Sequence, residues 1–201
     1  MRTTAISRIE IEAVSDSLLG ELRKKHPYTY AHCLSVERYA FLLASRVAYA
    51  WTAEEIGFLR LSARLHDIGK LRIDTAILDG TGKLTDQQFT QIKTHPQAGI
   101  RILAETGWLF PPIVLDGVRC HHLTFSRFGN GYPDGPWGED IPFAARIVAV
   151  ADVFDALRSD RSYQPAFTLE DSMRILMSES GKKLDPYLTR AFIQHVIPEL
   201  T

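Results

Sequence analysis

One carboxylate constrains this chain more than any other feature. Asp152 sits in the middle of a segment, Pro142 to Leu157, that also holds Ala144, Ala145, Ile147, Val148, Ala149, Val150, Ala151, Val153 and Phe154. A helix this apolar belongs inside the fold. An ionised carboxylate there is costly unless it is paired or coordinates a metal. Arg146 lies off its face of the helix, so the partner must come from elsewhere in the chain.

Histidines are the natural candidates, and one anchoring stretch is Leu65-His66-Asp67-Ile68-Gly69-Lys70. It closes a helical segment in which Ile56, Leu59, Ala63 and His66 recur at helical spacing, so His66 points inward. Gly69 is the residue type that ends a helix in a left-handed turn. A His and an Asp leaving a helix end together can both reach one metal ion. Alone, the dipeptide would be weak evidence.

The rest of the chain reads as helices, with β-branched alternation nearly absent. A first, peripheral amphipathic helix covers about Ala5 to Lys25, with Ile6, Ile9, Ala13 and Leu22 among charged residues. Residues 1–26 are therefore set apart as a peripheral or connecting helix, and 27–201 as the domain proper. The second helix, about Tyr28 to Ala50, is apolar nearly all round and carries His32 four residues before Val36. Thr52 with Glu55, and Thr85 with Gln88, are capping-box starts. The latter helix leads towards His95-Pro96, and a later apolar segment ends in Cys120-His121-His122. Thr124 to Ile141 is irregular, rich in glycine and proline, and long for a compact helical domain, which marks it as functional. Thr168 and Asp185-Pro186 open two tail helices.

His32, His66, Asp67, His95, His121, His122 and Asp152 thus form one ordered set of nitrogen and carboxylate donors. Such donors without thiolates suit iron, manganese, zinc or nickel. Seven are too many for one tetrahedral ion and suit a two-metal centre bridged by Asp67. Such a centre lowers the pKa of water and clamps the oxygens of a phosphoester undergoing hydrolysis. The two cysteines, Cys33 and Cys120, each adjoin a histidine of the set, but neighbouring side chains on a helix diverge, so packing is the expectation for both.

The order and spacing of these motifs resemble the HD superfamily of metal-dependent phosphohydrolases, and within it the HD-GYP branch of cyclic-di-GMP phosphodiesterases. The resemblance runs from about Tyr28 to the C-terminus. It rests on His66-Asp67-Ile68-Gly69-Lys70, Lys93-Thr94-His95-Pro96, His121-His122, Gly131-Tyr132-Pro133-Asp134-Gly135 and Ala151-Asp152-Val153-Phe154-Asp155-Ala156-Leu157. It implies an all-α HD-domain helical bundle with the metal centre among its central helices. It implies one ion held by His32, His66, Asp67 and Asp152, and a second, across Asp67, held by His95, His121 and His122. Iron or manganese is the expected metal, with zinc, nickel and magnesium compatible. Lys70 would face the scissile phosphate, and Tyr132, Arg127 and Arg161 would contact substrate. Cyclic di-GMP would be cut mainly to pGpG.

Three positions depart from the family pattern. Tyr28 stands where some members place a glutamate that supports a third metal, which favours two ions. Leu123 follows His121-His122 where glutamate is common, and Gln164 replaces a basic residue near the ligand phosphate. These leave two alternatives open: a phosphohydrolase for another nucleotide, and an inactive cyclic-di-GMP sensor.

Composition limits the partners. With 23 basic and 24 acidic residues the net charge is −1, so no global surface for a polyanion such as duplex nucleic acid is expected. No long apolar run or signal pattern occurs, and two cysteines make no disulfide framework, so a cytoplasmic, membrane-independent protein is expected. A homodimer or an upstream regulatory domain stays open.

Overall fold

The computed structural model describes residues 8–80, 82–160 and 165–200 of the chain. Among these residues the fold is all-α, without a strand; only an isolated bridge joins Ser180 to Leu184. The helices are α1 (Arg8–Lys25), α2 (Pro27–Ala44), α3 (Ala53–Leu65), α4 (Thr75–Leu78), α5 (Asp86–Ile92), α6 (His95–Glu105), α7 (Pro112–Cys120), α8 (Phe143–Arg158), α9 (Leu169–Glu179) and α10 (Pro186–Ala191).

Local chemistry sets several of the boundaries. The Thr52 and Thr85 side chains each accept the backbone N–H three residues on, while Glu55 and Gln88 reach back to the cap N–H. Asp185 caps α10, with Pro186 at its first position. α2 stops at Ala44, short of the expected Ala50, and residues 45–52 turn back through short backbone bonds such as Tyr49 N–H to Val47 O. Nor is α2 buried all round: Leu34 and Phe41 are exposed, while Thr29, Cys33, Val36, Ala40 and Leu43 face inward.

Two apolar clusters hold the bundle. The larger packs α2, α3 and α8 with the C-terminal turns through Val36, Leu43, Leu59, Ile147, Phe154 and Phe192. A second joins α1 to α3, α6 and α7 through Ile11, Leu19, Leu22, Leu65, Ile102 and Val118. α1 thus buries Ile11, Leu19 and Leu22, whereas Ile9 is exposed. At roughly 1.5–3 kcal/mol for each large side chain fully buried, three such residues are enough to seat it. No helix among the described residues is long and apolar enough to cross a membrane.

Candidate metal centre

The site forms where main chains come close enough to touch. A Cβ on Gly69 would lie 1.8 Å from the His95 carbonyl oxygen, and one on Gly117 would lie 1.9 Å from Ser62 Oγ. Gly69 therefore does not supply the left-handed turn expected from the sequence. Among the described residues only Gly107, Gly138 and Gly181 have positive φ. Its place is a 3₁₀ turn, Ile68–Arg72, that presses against the start of α6. That approach sets Asp67 beside His95, and the approach of α7 to α3 sets His121 beside His66.

Asp67 is the hub. Its Oδ1 lies 3.2 Å from His95 Nε2, while its Oδ2 faces His66 Nε2 at 3.4 Å and His32 Nε2 at 3.7 Å. Asp152 Oδ1 stands 3.1 Å from His32 Nε2 and 3.9 Å from His66 Nε2. On the other side, His95 Nε2 and His121 Nε2 are 3.1 Å apart, and the His121 and His122 rings lie tilted against each other with centroids 4.1 Å apart. Two groups of donors result, His32–His66–Asp67 and His95–His121–His122, each with ligand atoms within 4.8 Å of one another.

The outer nitrogens are already committed. Nδ1 of His66, His95 and His121 each lies 2.7 Å from a backbone carbonyl, of Ala63, Ile92 and Gly117. A carbonyl only accepts, so each Nδ1 carries a proton, and in the neutral ring that a metal binds Nε2 has a lone pair aimed at the centre. His66 Nε2, fully buried, has no hydrogen-bond partner. Nor can two Nε2 lone pairs facing each other at 3.1 Å bond without a shared cation. Orphaned lone pairs converging on carboxylate oxygens fit a metal site, and the nitrogen–oxygen donor set fits divalent transition ions. Cys33 and Cys120 are buried free thiols outside both groups.

The two halves differ in charge. Burial works against a proton on His32, but the Asp152 and Asp155 carboxylates overcome it and raise the ring to about 9. His66 is likewise raised against its burial, chiefly by Asp67. Burial lowers His95 to about 4 and, together with the charge on neighbouring His66, His121 to about 3. Asp67 stays ionised despite burial because Lys70 lies against it, and Asp152 because His32 does.

A cleft of about 1080 Å³ opens over this floor, at the upper end of the range for ligand sites. Lys70 and Tyr132 line it. The Tyr132 ring lies 4.5 Å from that of His122, and its backbone N–H donates to His122 O at 3.2 Å. Gly131 permits this approach, since a Cβ there would meet Thr124 N at 2.8 Å. Arg127 does not line the cleft; its guanidinium lies over the Phe128 and Trp137 rings. Leu123, expected to alter the substrate surroundings, instead turns into a small core with Cys120, Ile141 and Ala145. Arg161 and Gln164 lie outside the described residues. Sequence reasoning gave no role to Asp155, whose Oδ2 is 2.6 Å from His32 Nδ1. Its spacing from Asp152, one helical turn on, was the available signal.

Residues 30–188 match the family model described as HD domain. The chain is 35% identical over 189 residues to the cyclic di-GMP phosphodiesterase response regulator RpfG of Xanthomonas campestris pv. campestris, covering 92% of this chain and 49% of that protein. It is 34% identical over 179 residues to the 3'3'-cGAMP-specific phosphodiesterase 2 of Vibrio cholerae, covering 89% of this chain and 34% of that protein. The chain thus spans half or less of the length of these curated relatives. The L. monocytogenes phosphodiesterase PgpH HD domain, solved in complex with cyclic-di-AMP, superposes with a TM-score of 0.66 at 20% identity, covering 92% of this chain and 95% of that one. With its His-Asp pair at the end of α3 and its Gly-Tyr-Pro loop over His122, the chain belongs to the HD-domain family, in the HD-GYP branch.

Proposed function

We propose that the chain is a metal-dependent phosphodiesterase that hydrolyses cyclic di-GMP, mainly to pGpG. One observation carries this reading: the two oxygens of Asp67 face two separate groups of histidines at the floor of a cleft of dinucleotide size. His32, His66, Asp67 and Asp152 would hold one divalent ion, and His95, His121 and His122, across Asp67, a second. Iron or manganese is the first choice. When bound, such a pair supplies a nucleophile from water at neutral pH and neutralises charge on the phosphoryl oxygens.

The chain's own residues do the rest. Lys70 presents an ammonium at the cleft floor, where it offsets negative charge growing on the phosphoryl oxygens. Tyr132 walls the second histidine group and offers a ring and a hydroxyl to substrate. In the reaction the water oxygen bonds to phosphorus as the bond to the 3′ oxygen breaks, leaving pGpG with a free 3′ hydroxyl and a 5′ phosphate. Tyr28 lines the cleft four residues before His32 and brings no carboxylate there, which favours two ions and a halt at pGpG. Residues 27–201 would form the catalytic domain, with 1–26 a helix seated on it or leading from an upstream regulatory domain. Buried reduced thiols at Cys33 and Cys120 support a cytoplasmic setting.

A second cyclic dinucleotide stays in view because relatives named for cyclic di-GMP and for 3'3'-cGAMP match at similar identity. The test is product analysis with protein stripped of metal and reloaded with Fe(II) or Mn(II), offered either substrate. Linear pGpG that disappears in Asp67→Ala, together with lost metal, is the expected result. Preferential cleavage of 3'3'-cGAMP would move the substrate, and no product from fully loaded protein would overturn the reading.

A further inference from the structure

The four histidines with an assigned outer hydrogen bond are not equivalent. His66, His95 and His121 each rest on a neutral backbone carbonyl, whereas His32 Nδ1 rests on the Asp155 carboxylate at 2.6 Å. Asp155 is buried, 4% exposed, and Ser159 Oγ donates to the same Oδ2 at 3.2 Å. One turn earlier on α8, Asp152 Oδ1 stands 3.1 Å from the opposite nitrogen of the same ring. α8 therefore grips a single imidazole at both ends with carboxylates three residues apart. Once Nε2 and Asp152 turn to a metal ion, Asp155 still holds Nδ1.

A carboxylate behind a ligating imidazole fixes its tautomer, orients the ring and makes it a stronger donor than a carbonyl does. It also places a further negative charge near one ion and not the other. We propose that Asp155 is a positioning residue that makes the His32–His66–Asp67–Asp152 half the tighter of two unequal metal sites, so that this half fills first and empties last. Among the described residues, the outer bonds of His95 and His121 end on carbonyls and bring no such carboxylate to the other half. The inference rests on the two-metal reading above.

Metal-stripped protein titrated with Mn(II), followed by calorimetry and by the electron spin resonance of free ion, tests it without reference to turnover. Wild-type protein should bind two ions in two resolved steps. Asp155→Asn keeps an acceptor for Nδ1 but removes the charge, and should weaken the tighter step by about 10- to 100-fold. The weaker step should stay within about threefold, consistent with its neutral outer bonds. A second readout guards against misfolding: Zn(II)-loaded wild type should show a downfield His32 Nδ1–H proton resonance that moves upfield in Asp155→Asn while the His66, His95 and His121 signals hold. Two resolved steps that Asp155→Asn leaves unchanged, or weakens equally, would overturn the proposal and leave the metal centre standing. Failure of the wild type to bind any ion would instead overturn the metal reading itself.

Discussion

Lys70 Nζ lies 2.5 Å from Asp67 Oδ2, the oxygen that also faces His66 and His32. The ammonium is held over the floor of the cleft by the same carboxylate that joins the two histidine groups. Replacing it with a neutral chain of similar length, Lys70→Met, should lower kcat by about 10²-fold or more while both ions stay bound. Steady-state kinetics beside metal analysis checks this. Loss of metal together with activity would make Lys70 a prop for Asp67 rather than a partner of substrate.

Gly69 offers a test of the backbone contact that builds the site. In Gly69→Ala the new methyl would meet His95 O and Gly99 N, both main chain, at 1.8 and 2.6 Å. Neither can swing aside, so stability should fall by about 3 kcal/mol or more, with metal content falling as His95 is displaced. Gly20 in α1 is the control: nothing lies within 4 Å of its Cβ direction, and Gly20→Ala should gain about 0.5–1 kcal/mol. Urea unfolding of both variants decides.

Stability of metal-stripped protein should peak near neutral pH. His32 is raised from an ordinary 6.5 to about 9, so its contribution is complete below 6.5 and is lost as pH climbs through 9. His95, lowered to about 4, acts in the opposite sense: the unfolded chain takes up its proton first, and stability drains away as pH falls from 6.5 towards 4. Thermal unfolding in chelator across pH 5 to 9 should trace a dome. A melting temperature still rising at pH 9 would contradict the paired state of His32.

Metal uptake near pH 7.5 should release about two protons. These come from His32 and His66, which carry them against Asp152, Asp155 and Asp67, whereas His95, His121 and His122 are already neutral. Calorimetric titrations in buffers of different ionisation enthalpy measure the number directly. Release of about five would mean that the second histidine group is not neutral before loading.

Much of the architecture was legible because it is local. The caps at Thr52, Thr85, Thr168 and Asp185 are written in adjacent residues, and the apolar run around Asp152 forces that helix inward wherever it lies. The candidate metal donors could be gathered because a buried carboxylate and a crowd of histidines are costly to keep in a core that binds no cation. What stayed hidden depends on distant chain segments. Gly69 reads as a helix stop, yet its reason is the His95 carbonyl, which no spacing rule brings near. Leu123 reads as a change in the substrate pocket until Ile141 and Ala145 are seen to cover it. Asp155 reads as one more acid at a helix end until α2 places His32 against it.

The donors of the site come from α2, the end of α3, the start of α6, the end of α7 and the middle of α8. Bound ions would therefore act as cross-links between segments far apart in sequence, removing loop-closure entropy from the unfolded chain as a set of disulfides would. Imidazoles would supply that device without the oxidised thiols that a disulfide requires. The same atoms that make the chemistry would then knot the bundle together, and starving the protein of metal would loosen its hydrogen-exchange protection as well as silence it.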